Sequence, residues 1–157
     1  WVKLLASAVI HLLLLAVVLA VLAAYGVPAT WYWLQTAYYL AALALLLRAG
    51  GLIAATLNVF SRDVGFAIQA ALQFGFWMSP VFWDYDLIPA RFQFLAPVLK
   101  LNPMAYVIRG YRHSLLEGVP FWIEWRQLLY FWALTAALWW LGGRLYRRLK
   151  PQFADVL

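Results

Sequence analysis

From Leu4 to Ala24 the chain is apolar throughout, interrupted only by Ser7 and His11. About twenty residues is the length a helix needs to cross roughly 30 Å of hydrocarbon at about 1.5 Å per residue. The run is longer than the core of a signal peptide, about 7–15 residues, so a membrane span is expected. Inside hydrocarbon no water satisfies the backbone, which leaves the α-helix as the form such a run can take. Tyr25-Gly26-Val27-Pro28 then stops it, because Gly and Pro end helices. Three more segments share this character. One runs over about 31–57, opening on Trp31, Tyr32 and Trp33, which suit the headgroup level. Another runs over about 64–83, after the charged turn Ser61-Arg62-Asp63 and up to the region of Ser79-Pro80. The last runs over about 122–143, its most apolar part bounded by Arg126 and Arg144. The expected fold class is an all-α membrane protein with four spans in one domain over 1–157.

Composition supports lipid as the solvent. Apolar residues are 67% of the chain and charged ones 11%, against about 45–50% and about 25% in soluble domains. A net charge of +6 raises nucleic acid as a partner, but the cations form no long patch. Four of the twelve, Arg144, Arg147, Arg148 and Lys150, lie in the last fourteen residues behind an apolar run. That placement marks an anchor on an anionic membrane face, and no nucleic acid is expected. With four spans both ends lie on one side, which the positive-inside rule makes cytoplasmic. Arg62 and Asp63 then form a cytoplasmic turn. No cysteine is present, so disulfides and thiol chemistry are excluded. The opening at Trp1, without Met, reads as a truncated start.

The outer segment 84–121 carries its own pattern. Phe92, Leu95, Ala96 and Leu99 recur at helical spacing over 89–99. Asn102-Pro103 then signals a second helix over 103–117, Asn as N-cap and Pro as first helical residue, with Gly118 as its stop. Two short amphipathic helices between spans imply a re-entrant hairpin or a lid at the outer interface.

Several residues keep two readings. Arg48 in the second span is either an interfacial anchor or a cation facing an anionic substrate, with Gly50 and Gly51 allowing close helix packing. His11, with Ser7 on the same face, is either a hydrogen-bonded interior histidine or a functional intramembrane group. Gln69 and Gln73 share a face that meets protein or water. The aromatics, 18% of the chain, make a membrane belt or stack on sugar rings. Asp84-Tyr85-Asp86 resembles an acid pair that holds a metal in sugar-nucleotide enzymes, yet solvated acids after a span are ordinary, and no metal or catalytic residue is assigned.

The blocks Leu57-Asn58-Val59-Phe60-Ser61-Arg62-Asp63-Val64, Gln73-Phe74-Gly75-Phe76-Trp77-Met78-Ser79-Pro80-Val81-Phe82-Trp83, Leu101-Asn102-Pro103-Met104 and Gly110-Tyr111-Arg112 stand in an order that resembles the permease subunit of type-2 ABC exporters. The ending Arg147–Leu157 is similar to the branch that exports polysaccharide: O-antigen, capsule-like glycan or teichoic acid. That resemblance implies the last four spans of a six-span permease in a bacterial cytoplasmic (inner) membrane. It implies a homodimer working with an ABC nucleotide-binding ATPase subunit, which holds ATP and Mg; this chain binds no cofactor of its own. The cargo would be a lipid-linked glycan. Tyr38, Tyr39, Trp77, Trp83, Arg48 and Arg112 would line the conduit. Phe92, Asn102, Pro103 and Tyr111 would form the outer gate, and the turn at Arg62 and Asp63 would lie near the ATPase. The competing expectations are a drug or small-lipid permease of the same architecture and a membrane glycosyltransferase using Asp84 and Asp86.

Overall fold

The computed structural model describes residues 2–155 except 62, 82 and 84, and leaves the side chains of 2, 4, 86, 154 and 155 undescribed. It is all-helical, with six α-helices among the described residues: α1 (Val2–Ala24), α2 (Gln35–Asn58), α3 (Asp63–Met78), α4 (Ala96–Leu99), α5 (Pro103–Arg112) and α6 (Trp125–Leu149). Two stretches are long and apolar enough to cross a membrane, Leu5–Ala24 and Trp31–Asn58. The second begins as a 3-10 turn over Trp31–Leu34 before it becomes α2.

Several boundaries differ from the sequence expectation, each for a local reason. The third helix stops at Met78 and not at Trp83. Ser79 Oγ turns back onto the Gly75 carbonyl at 2.8 Å, and Pro80 bars the residue before it from helical geometry. The segment 90–95 is a 3-10 helix, regular α geometry being confined to α4. The helix expected to run to residue 117 is α-helical only to Arg112, then widens to a π turn over His113–Glu117. Gly118 closes it at φ 65°, a left-handed position that glycine adopts without a Cβ clash. The last helix begins three residues later than 122 and continues through Arg144, Arg147 and Arg148 to Leu149.

The nucleus is a packing of α2, α5 and α6 around Tyr39, Ala42, Leu46, Tyr106, Val107 and Phe131. Small residues decide how closely these helices approach. A Cβ on Gly142 would meet Leu52 and Ile53 at 3.2 Å, so α6 lies tight on α2 there. A Cβ on Gly110 would run into the Tyr39 ring, so α5 seats on α2 only through glycine. Gly50 and Gly51, expected to do this, have nothing within 4 Å; the close approach is made by glycines on the partner helices instead.

The two ends of the bundle are distinct. At one, Phe153 of the C-terminal turn packs on Phe60 of the α2–α3 turn, ring centroids 5.7 Å apart. At the other, the Gln35 amide donates to the Val119 carbonyl at 3.2 Å, and its oxygen accepts from the Phe121 N–H. Between them Leu101 accepts from Tyr130 of α6 at 2.7 Å, Tyr106 meets Tyr38, and Gly118 approaches Tyr32. From Leu101 onward, then, α5 climbs back along α2 toward its N-terminal end. The segment thus packs along the side of α2.

Candidate functional site

The exit from α3 is strapped to α5 at two points. Asn102 caps α5 by accepting from the Met104 N–H at 3.0 Å. Its amide nitrogen also donates to the Gly75 carbonyl and to Ser79 Oγ, both at 2.9 Å. One side chain thus satisfies the start of one helix and the end of another, where backbone groups have no intrahelical partner. Pro103 follows at the first helical position, where its missing N–H costs nothing. Toward the other end of α5, Arg112 donates to the Val81 carbonyl at 2.9 Å and to the Trp83 carbonyl at 3.1 Å. Ser79, Val81 and Trp83 are held by these clamps. Beyond them Trp83 meets Tyr85 edge-on, centroids 5.4 Å apart. Trp83 and Phe92 share the lining of an apolar hollow of about 330 Å³ with Ile88, Pro89, Leu95 and Leu99.

A polar thread runs through the aromatic nucleus. Trp132 Nε1 donates to the Tyr38 hydroxyl at 2.8 Å, and that hydroxyl lies 3.1 Å from the hydroxyl of Tyr106. Tyr111 lies near Tyr39, centroids 6.2 Å apart, and its hydroxyl is 2.8 Å from His11 Nε2 on α1. Of the two readings of His11, the hydrogen-bonded one describes this geometry. The bond is a polar tie on a helix whose apolar surface is otherwise largely open, with Leu13 and Val17 among its exposed residues. Tyr111→Phe keeps the ring and deletes the hydroxyl, at an expected cost of about 0.5–1.5 kcal/mol. Unfolding midpoints in detergent should fall in Tyr111→Phe and in His11→Phe without adding in the double variant; full additivity would mean the two groups do not interact.

The residues expected to line the conduit have different surroundings in this chain. Tyr39 is 2% exposed and belongs to the nucleus; Tyr38 is half-buried and hydrogen-bonded beside it. Trp77 stands 67% exposed on α3. Arg48 lies over the Trp139 ring, 5.0 Å from its centroid, while the Trp139 N–H donates to the Leu45 carbonyl. Asp63 opens α3, where a carboxylate suits the helix N-terminus, and its N–H donates to Ser61 Oγ. Arg62 and Asp84 lie outside the described residues, as does the side chain of Asp86. Gln69 is exposed and lines an open groove of about 470 Å³ with Asn58, Gly65, Phe66, Ile68 and Leu72; Gln73 is exposed on the same helix.

Sequence reasoning missed three parts of this site. Locally, Ser79 reads as a helix stop inside a resembling block, Gln35 carries no signal, and Gly110 stands only in a resembling block. Asn102 is expected as an N-cap and, by resemblance, as part of the outer gate, but not as a tie to the end of α3. Its second duty needs α3 and α5 side by side, which no local pattern reports.

Residues 1–116 match the family described as ABC-2 type transporter. An O-antigen export system permease protein RfbA from Klebsiella pneumoniae is 27% identical over 142 residues, covering 90% of this chain and 52% of that protein. A second protein of that name and organism is 27% identical over 106 residues, covering 68% and 39%. The chain therefore spans about half, or less, of the curated relatives it matches. On the match to residues 1–116, the chain belongs to the ABC-2 type transporter family, whose membrane domain is a transport subunit and carries no ATP site of its own.

Proposed function

We propose that this chain is permease machinery of an ATP-driven exporter that carries lipid-linked polysaccharide from the cytoplasmic to the outer side of a bacterial inner membrane. The observation that carries this reading is similarity along 90% of the chain to a protein named as an O-antigen export permease. Four spans are part of the proposal: α3 with the hairpin after it, and α6, join the two helices already long and apolar enough. The C-terminus and the α2–α3 turn then face the cytoplasm together, in keeping with the contact of Phe153 on Phe60. A separate ATPase subunit would dock near that turn, at Arg62 and Asp63, and a second copy of the permease would complete the path.

A hydrophilic polymer needs many weak, sequence-tolerant contacts, which aromatic faces supply without trapping it. Trp77 and Trp83 are the aromatics best suited to that task, Trp77 by its exposure and Trp83 by its place in the apolar hollow with Phe92. Tyr38 and Tyr39 would shape the conduit wall from behind. Arg112 would set the position of Trp83 through the carbonyls it holds, and Arg48 would meet acidic groups from its seat on Trp139. Asn102, Pro103, Phe92 and Tyr111 would make up the outer gate, hinged on α5. Replacing both Trp77 and Trp83 with Leu in the full-length protein should cut glycan export severalfold while assembly and membrane level stay unchanged. Undiminished export would remove both from the conduit.

A further inference from the structure

The end of α6 presents a surface to which the proposed function assigns no role. At about 3.6 residues per turn, Trp140, Arg144, Arg147 and Arg148 fall on the side of α6 opposite Phe131, Thr135 and Gly142, which are buried against its neighbours. Trp140 is 62% exposed and all three arginines are exposed. The Arg144 guanidinium lies over the Trp140 ring, 5.2 Å from its centroid, a cation–π contact that does not occupy its N–H donors. None of the three joins an ion pair among the described residues, and between Glu124 and Asp155 the sequence contains no acid. Three guanidinium forks, with an amphipathic ring one turn closer to the apolar part of the helix, match a phosphate at headgroup depth above an acyl chain.

We propose that Trp140, Arg144, Arg147 and Arg148 form a binding site for the headgroup of an anionic phospholipid. The arginines take the phosphate oxygens and Trp140 lies along the glycerol and upper acyl chain. Charge complementarity names the occupant: a zwitterionic headgroup offsets its own phosphate, whereas phosphatidylglycerol leaves a net negative charge for three cations that join no ion pair among the described residues.

The test is native mass spectrometry of the full-length protein, exchanged in detergent against equal phosphatidylglycerol and phosphatidylcholine. The wild type should retain phosphatidylglycerol preferentially. Arg144→Gln/Arg147→Gln/Arg148→Gln should lower that preference on the order of tenfold or more. The triple Lys variant should keep most of it, and Arg126→Gln, at the far end of the same helix, should leave it unchanged. Equal retention of both lipids by the wild type overturns the site, as does a triple Gln variant that still prefers phosphatidylglycerol. Two other results reassign the stripe and equally overturn a phospholipid site: arginine-dependent retention of a polyprenyl phosphate but not phosphatidylglycerol, or arginine-dependent co-purification of an ATPase subunit with no lipid preference.

Discussion

Gly110→Val should disrupt the bundle more than any other single substitution in it. A Cβ at position 110 would overlap the ring of Tyr39, and that ring is 2% exposed, packed by Tyr38, Tyr106 and Tyr111 on its other sides. Overpacking a filled interior costs about 1–3 kcal/mol when neighbours can shift, and here the neighbours are aromatic rings that hold one another. The expected result is loss of the monodisperse peak when the tagged protein is solubilised and run by fluorescence-detected size exclusion. Gly110→Ala should show the same defect more mildly, and Tyr39→Leu should partly rescue it by freeing the space. A Gly110→Val protein that is monodisperse and melts with the wild type would mean that α5 does not seat on Tyr39.

The second large effect is expected at Asn102. Asn102→Leu removes the acceptor for the Met104 N–H and the donor to Gly75 and Ser79. At about 0.5–1.5 kcal/mol for each bond lost, the combined cost is roughly 2–4 kcal/mol. Asn102→Asp separates the two duties, since a carboxylate still caps α5 but offers no proton to the end of α3. If the tie between α3 and α5 sets the outer gate, Asn102→Asp should approach Asn102→Leu in lost glycan export while losing much less of the unfolding midpoint. Export that follows the midpoint in both variants would make Asn102 a cap and nothing more.

These two positions show what a sequence can and cannot carry. The N-cap at Asn102-Pro103, the stop at Gly118 and the apolar stretches beginning near Leu4 and Trp31 depend on neighbours within a few residues, and local patterns report them. Burial of Tyr39, the seat at Gly110 and the pairing of Asn102 with Ser79 depend on helices far apart in the chain. The aromatics illustrate the limit well. Tyr38, Tyr39, Trp77 and Trp83 are alike as candidates for a belt, a core or a conduit, and only packing separates buried Tyr39 from exposed Trp77. Gly50 and Gly51 mislead for a related reason: a small-residue pair permits close approach, but whether a partner helix arrives is decided elsewhere. Even Arg48 keeps a composite role, because a cation in the inner half of the second apolar stretch fits an anchor while its seat on Trp139 depends on α6, far away in the chain.

The most direct measurement of the exporter proposal is purification of the full-length protein from its native membrane, with ATPase activity and bound glycolipid assayed on the same fractions. Exporter function predicts co-elution of a nucleotide-binding subunit whose ATP turnover responds to lipid-linked glycan, with that glycan recovered from the complex. A stable protein that elutes without any ATPase partner and without glycolipid would contradict it.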